Sequence, residues 1–401
     1  MVIETNPIFQ HALAGIDVIQ IASDLVKIPS CSQTRIREND VSAYLYKILN
    51  DEGIPAEVTE ALPGRFNVTG FLQGSGGGRS LMLCGHMDTV PAYDMQDPYS
   101  GLVEDGCLYG RGACDMKGPL AAMLAAFIAV KRSGVRLKGD LVFAAVIDEE
   151  EMGKGVDYLA LHGPFVDGAV IGEPTSMRLA LGHKGLEWIR VEVIGKKVHG
   201  GRMDLGINAI TMVGRLIEKI TNEYAPQLKT RLHPLLGQPT INIGRIEGGD
   251  QPSTVPGMCT LEIDRRWIPG ESLEQVYREL EEIIYRLQKE DPRFKAEVRG
   301  YYPAEELLPH HPFCTEATDP LAVSALRSMK VVGLTSLEPT AFPAWSDAGI
   351  LAGCTKTKCI VMGPGDLALA HTAGEMIEVS ELEKAAHFYG QMAMDYCEKD
   401  I

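Results

Sequence analysis

One run constrains this chain more than any other: Leu141–Gly153, LVFAAVIDEEEMG. Its seven consecutive apolar residues, Leu141–Ile147, read as a strand buried on both faces, the kind found in parallel α/β sheets. The strand breaks into four consecutive carboxylates, Asp148, Glu149, Glu150 and Glu151. In open α/β sheets, ligands gather at the carboxyl ends of strands. Carboxylates this close repel and raise one another's pKa unless a cation holds them ionised. Taken alone, acids at a strand end ordinarily face solvent, so the reading depends on what accompanies them.

The bulk properties narrow the field. With 401 residues the chain has room for two or three domains. A formal charge of −16 argues against nucleic acid and anionic membranes as partners, because both require basic surfaces. Nine cysteines without a CxxC pair suggest reduced thiols rather than a disulfide framework. The opening MVIETNPIFQ has no basic stretch followed by an apolar one, so no signal peptide is expected. The most apolar helical stretch, Pro119–Val130, is too short to span a bilayer. Together these imply a cytoplasmic protein.

Further strand ends carry suitable side chains. Leu81–Leu83 reads as a strand running into Cys84-Gly85-His86-Met87-Asp88-Thr89-Val90-Pro91. In extended chain, residues i and i+2 share a side, so Asp88 can lie beside His86 and fix the tautomer of an imidazole whose other nitrogen binds a metal. A hydrogen-bonded loop pair is the alternative. Tyr109–Gly118 opens a helix near Pro119; its glycines suit a close approach of backbone to a site, and Asp115 is either a helix cap or a ligand. Cys114 has no identifiable base and reads as a small buried residue. Ala169–Ile171 ends in Gly172-Glu173-Pro174-Thr175, and Cys359–Met362 leads through Gly363-Pro364-Gly365 to His371. Helical periodicity marks 13–28, 40–51, 156–161, 320–330 and 381–397.

Residues 186–300 read as a separate module. Strands at 187–194, 240–246, 258–266 and 294–299 alternate with helices at 207–221 and 272–288 in the order βαββαβ, the split-βαβ, ferredoxin-like pattern. The second helix carries Leu273, Val276, Tyr277, Leu280, Ile283, Ile284 and Leu287 on one stripe. The expected organisation is a catalytic domain in two segments, 1–185 and 301–401, interrupted by this insertion at 186–300, which would serve as a lid or dimerisation surface. His199, in the VHGG turn after its first strand, reads in isolation as a surface histidine.

Together, His86, Asp115, Glu149, Glu150, Glu173 and His371 mostly follow strands of one expected sheet. Two histidines and several carboxylates suit zinc or a similar divalent ion. A carboxylate bridging two ions about 3.5–4 Å apart would make a two-metal hydrolytic site. Such ions bring the pKa of water from about 16 down to about 7, and a carboxylate that is not a ligand can take the proton.

The chain resembles the two-zinc amidohydrolases and peptidases that include acetylornithine deacetylase, succinyl-diaminopimelate desuccinylase, glutamate carboxypeptidase and aminoacylase. The matching motifs are GHMDTVP (85–91), GRGACDMKG (110–118), DEEEMG (148–153), GEPT (172–175), VHGGRMDLGINAI (198–210) and GPGDLALAH (363–371). The resemblance implies an α/β, zinc-peptidase-like catalytic domain with a central mixed, mostly parallel sheet, plus an inserted ferredoxin-like α+β lid. It implies that His86 and Glu173 bind one metal and Glu150 and His371 the other. Asp115 would bridge the two, with a cis peptide to Met116. Asp88 would orient His86, and Glu149 would be the general base. Because 149–151 are all glutamate, the register could slip by one; aligning Asp148 with the family's D-E-E makes Glu149 the base and Glu150 the ligand. His199 matches the lid histidine that reaches a substrate carbonyl, often across a dimer interface. Asn242 and Arg266, with Arg265 the weaker substitute, look like the lid's contacts to the substrate carboxylate or backbone. Gly363 and Gly365 look like the loop near that carboxylate.

The implied activity is hydrolysis of the amide of an N-acetyl or N-succinyl amino acid, with two divalent ions as cofactors, most readily Zn2+ and otherwise Co2+ or Mn2+. The run GEPTS…HKG (172–185) looks most like the deacetylase and desuccinylase branch. Two alternatives stand beside it: a dipeptidase or carboxypeptidase with the same centre, and a metal-stabilised binding protein without turnover. A small-molecule substrate and a homodimer through the lid are the expected partners.

Overall fold

Two neighbouring strands, Leu81–His86 and Leu141–Val146, are buried at every residue, which is why neither shows a polar face in its sequence. They belong to a computed structural model that describes residues 6–303 and 308–398. Residues 1–5, 304–307 and 399–401 lie outside that description, and with them part of the N-terminal run and of the expected 1–185 and 301–401 segments. The chain forms two compact units, one made of the segments up to Gly182 and from Cys314 onward, the other of His183–Phe313.

In the first unit, Leu81–His86 lies parallel to Leu141–Val146 on one side and to Gly168–Ile171 on the other. Lys358–Val361 continues the parallel set beyond Gly168–Ile171. Antiparallel strands flank this centre: Arg65–Leu72 and then Ala56–Leu62 on one side, Ala180–His183 on the other. The parallel pairing is thus concentrated in the four buried central strands, all of which point their carboxyl ends the same way. His86, the turn after Val146, Glu173 and the Gly363 turn all leave from that edge. The helix Lys117–Ser133 is buried along its whole length from Lys117 to Val130. It is apolar all round because it packs on every side, against the sheet and the helices Pro7–Ala14, Val18–Val26 and Val379–Cys397. Among the described residues, no helix is long and apolar enough to cross a membrane.

The second unit has a four-stranded antiparallel sheet in the order Thr240–Gly248, Met258–Trp267, Gly185–Ile194, Lys295–Gly300. The first and last strands of the βαββαβ sequence are therefore neighbours, as the ferredoxin-like pattern requires. Val276, Leu280, Ile283, Ile284 and Leu287 of the helix Leu273–Glu290 pack with Val213 and Leu216 of the helix Ala209–Lys219 over Ile189, Val191, Val193, Leu261 and Ile263. Removing one such side chain would cost about 2–5 kcal/mol. The unit is wider at both ends than 186–300 because its entry and exit are paired. The Leu186 amide donates to the His310 carbonyl (3.0 Å), and the His183 and Phe313 rings meet edge to face at 4.7 Å.

Three local expectations change. The stretch 13–28 is two helices, Pro7–Ala14 and Val18–Val26. Asp17 leaves helical geometry to accept the Gln20 amide as an N-cap, and that restarts the helix. The helix expected over 207–221 begins at Ala209, behind the Asn208 cap, and passes at Ile220 into a wider turn that runs to Tyr224. Ala56–Leu62 is a strand that periodicity does not reveal, because it lies at a sheet edge, partly exposed and carrying Glu57 and Glu60.

Candidate metal centre

His86 ends a fully buried strand, and the chain then curls so that its Nδ1 donates to the backbone carbonyl of Asp88 at 2.9 Å. A carbonyl only accepts, so Nδ1 carries the proton and Nε2 points at carboxylates. Asp115 Oδ1 lies 3.0 Å from it, and Glu149 and Glu173 both lie 3.9 Å away. The Asp88 carboxylate has another task. It stands 3.6 Å from His86 Nδ1 and accepts the backbone amides of Glu149 (3.2 Å) and Glu150 (3.0 Å). Asp88 thus bonds His86 through its carbonyl and the acidic turn through its side chain.

The four acids after the central strand separate into two kinds. Asp148, at a positive φ of 72°, is buried against Arg65 (2.6 Å), which also pairs with the buried Glu38. Glu151 pairs with Arg37 at 2.8 Å. The two outer acids are thus neutralised by arginines, and Glu149 and Glu150 turn toward the histidines. Glu150 Oε1 lies 3.0 Å from His371 Nε2, and Asp115 Oδ2 lies 3.3 Å from the same nitrogen. Asp115 thereby offers one oxygen to each histidine. Its peptide bond to Met116 is cis. Donor atoms of His86, Glu149 and Glu173 lie within 4.8 Å of one another, as do those of His86, Asp115 and Glu150.

The electrostatics of this group follow from burial and from the close approach of its carboxylates to two histidines. Burial works against charge on His86, but the Asp115 bond and the Glu173, Asp88 and Glu149 carboxylates outweigh it and raise its pKa well above the ordinary value. At His371 the bonds to Asp115 and Glu150 prevail over burial and push it up to about 10. Burial alone would raise Asp115, yet its two histidine partners hold it well below the usual carboxylate range. Burial drives Glu149 and Glu173 well above theirs, helped at Glu149 by Glu173 and at Glu173 by Asp115. Glu173 Oε1 is buried with no hydrogen-bond partner among the described residues. Imidazole nitrogens and carboxylate oxygens converging in this way, with protons standing in for positive charge, fit divalent ions.

Gly363 and Gly365 serve the same centre from behind. The Gly363 carbonyl accepts the Thr175 and Met177 amides, its own amide donates to Thr175 Oγ1, and the Gly365 carbonyl accepts the Ser176 amide. The Gly365 amide donates to Glu381 at 2.7 Å. Polar groups expected near a substrate carboxylate are thus engaged in holding the segment that carries Glu173. Cys114 packs its thiol against the Asp366 carbonyl (3.3 Å), and burial pushes its pKa far up.

The remaining expected residues lie in the second unit. His199 is exposed in a two-residue strand paired with Thr254-Val255, its Nδ1 accepting the Gly201 amide. Asn242 and Asp264 stand opposite each other in the sheet, and Arg266, on the same face, chelates Asp264 at 2.8 and 3.0 Å. Arg265 points the other way, buried and bonded to Glu271 and Tyr224.

Two acids escape sequence reasoning. Asp347 is buried with neither carboxylate oxygen hydrogen-bonded among the described residues. Burial, joined by Asp88, Asp157 and Asp148 and opposed by His86, pushes it up to about 8. The only signal was a lone acid in the apolar run AFPAWSDAGILAG. Glu375 is likewise buried, four residues beyond His371, and binds the loop that carries Asp115.

The profile of Peptidase family M20/M25/M40 matches residues 82–395. Acetylornithine deacetylase of Myxococcus xanthus is 29% identical over 98% of this chain and 99% of its own length. Acetylornithine deacetylase of Proteus mirabilis is 30% identical over 94% and 96%. An M20 family metallo-carboxypeptidase of Sulfolobus solfataricus superposes with a TM-score of 0.78 at 19% identity, covering 95% of this chain and 99% of that one.

Proposed function

The chain belongs to Peptidase family M20/M25/M40, and from that premise we propose that it is a metal-dependent amidohydrolase that removes the acyl group from an N-acyl amino acid. The observation that carries the reading is Asp115, buried between two histidines with one oxygen toward each. A carboxylate so disposed is suited to bridging two ions.

In this reading His86 and Glu173 would hold one ion, Glu150 and His371 the other, and Asp115 would serve both. Zinc suits the donors best; cobalt and manganese accept the same atoms. Bound there, the ions would polarise the amide carbonyl and acidify water. Glu149, which burial already makes a strong proton acceptor, takes the proton of the attacking water and returns it to the departing nitrogen. Asp88 keeps that base in place through the Glu149 and Glu150 amides. His199, Asn242 and Arg266 are the second unit's candidates for the substrate's carbonyl and carboxylate, by family resemblance. Gly363 and Gly365 border the site as supports. Resemblance also suggests a homodimer through the second unit, whose edge strand Thr240–Gly248 pairs on one side only among the described residues; light scattering would test it.

The decisive experiment is amine release from N-acetyl and N-succinyl amino acids (ornithine, citrulline, methionine, glutamate, diaminopimelate) and simple dipeptides by the zinc- or cobalt-loaded protein. Release from acylated amino acids, abolished by a chelator and restored by metal, is the expected result. Cleavage confined to dipeptides would replace it with the peptidase reading. No turnover by protein carrying two ions would sink both.

A further inference from the structure

Outside the ligand set, one buried acid gathers more of the site's backbone than any side chain described above. Glu375 Oε1 accepts the amides of Gly112 (2.9 Å), Cys114 (3.1 Å) and Asp115 (3.1 Å). Its Oε2 pairs with the guanidinium of Arg111, itself buried. The Glu375 carbonyl accepts the Gly110 amide at 3.3 Å. The next residues, Met376–Glu378, form a strand against Cys107–Tyr109, at the start of the same loop. Glu375 therefore fastens the loop at Gly110, Arg111, Gly112, Cys114 and Asp115.

Glu375 follows His371 by only four positions. His371 has a positive φ of 62° and a side chain about half exposed. The two segments meeting at Glu375 carry Asp115 and His371, whose atoms lie 3.3 Å apart.

Resting on the two-ion reading above, we propose that Glu375 is a positioning residue for the dinuclear centre: it sets the separation of the two half-sites by locking the Asp115 loop to the His371 segment. Its carboxylate needs both oxygens, one for the three amides and one for Arg111. Glutamine keeps the shape but turns an N–H2 group toward the guanidinium, and aspartate keeps the charge but withdraws it by one methylene.

The test compares wild type, Glu375→Gln, Glu375→Asp and, as a control for stability alone, Phe127→Leu in the buried helix. Zinc or cobalt stoichiometry and affinity are measured by equilibrium dialysis, alongside melting temperature and, on the best acylated substrate, kcat and KM. Supporting outcomes are a weakening of one of two ion sites by about 10–100-fold in Glu375→Gln, a matching fall in kcat with KM little changed, and a smaller loss in Glu375→Asp. Phe127→Leu should lower the melting temperature and leave stoichiometry intact. Two ions bound by Glu375→Gln with wild-type affinity would overturn the proposal, as would losses equal to those of Phe127→Leu at the same distance below melting. If wild type itself fails to bind two ions, the two-ion reading fails first, and that result is distinguishable from the others.

Discussion

The two units treat their carboxylates in opposite ways. In the second unit, acids meet arginines: Glu271 bonds Arg265 and Arg231, Glu279 bonds Arg231, and Glu262 bonds Arg190 and Arg245. In the first unit, at the carboxyl edge of the sheet, Glu149, Glu173 and Asp347 pair with no arginine among the described residues and are pushed toward holding protons. The same unit does supply arginines a few ångströms away, to Asp148 and Glu151. The withholding is therefore local. An acid paired within the chain contributes to folding and is finished. An acid left unpaired in a buried site costs stability and is worth keeping only when a cation arrives from outside.

The sharpest break in this comparison is chemical. We predict that Glu149→Gln lowers kcat by about 10²–10⁴-fold while both ions remain bound, as turnover and metal content measured on one sample would show. Activity close to wild type would remove Glu149 as the base and revive the binding-protein alternative. The largest effect in the second unit concerns stability. Glu271→Ala strands the buried Arg265 without its partner at 2.7 Å, and denaturant unfolding should show a loss of about 3–5 kcal/mol with ion binding unchanged.

Next is pH. His371 rises from 6.5 to about 10, Asp347 from 3.8 to about 8 and Asp88 from 3.8 to about 7. Each group binds its proton more tightly folded than unfolded. The metal-free fold is thus most favoured below the unfolded value and loses ground as pH rises through the folded one. These groups should lower the stability of the metal-free protein from about pH 4 to about pH 10, opposed at the acid end by Asp115 and above about pH 7 by Lys117, which burial lowers to about 7. Ions compete with those protons, so the melting-temperature gap between loaded and metal-free protein should widen with pH. Parallel pH profiles would contradict this. Asp347→Asn should raise the metal-free melting temperature at pH 8 and flatten part of the slope. The smallest effect belongs to exposed pairs: Arg245→Ala, losing a 3.2 Å contact to Glu262, should change stability by at most about 1 kcal/mol.

The strand Leu141–Val146 and its acidic turn were legible because an unbroken apolar run ending in charge has few other uses. Which acids turn inward was not, since it depends on Arg37 and Arg65, roughly a hundred positions earlier in the chain. The helix Leu273–Glu290 was legible through its stripe, and the sheet order of the second unit followed from βαββαβ. The edge strand Ala56–Leu62 and the break at Asp17 were hidden because solvent exposure and capping leave no periodic trace. His86, Asp115, Glu150, Glu173 and His371 stood out as residue types after strands. Glu375 and Asp347 did not, because a buried acid is recognised by what surrounds it.

The helix Lys117–Ser133 begins two residues after Asp115 and is enclosed on all sides. A segment so enclosed exchanges its amide hydrogens only when the whole unit opens, and His86 and Glu173, both buried, share that enclosure. His371, half exposed on a turn, belongs to the opposite end of the opening scale. The two ions should accordingly leave by different clocks. We predict that the one at His371 trades with solvent during brief local excursions, while the one at His86 departs only with global unfolding. Chelator-driven release should then show two phases, and only the slow one should keep pace with exchange in the buried helix.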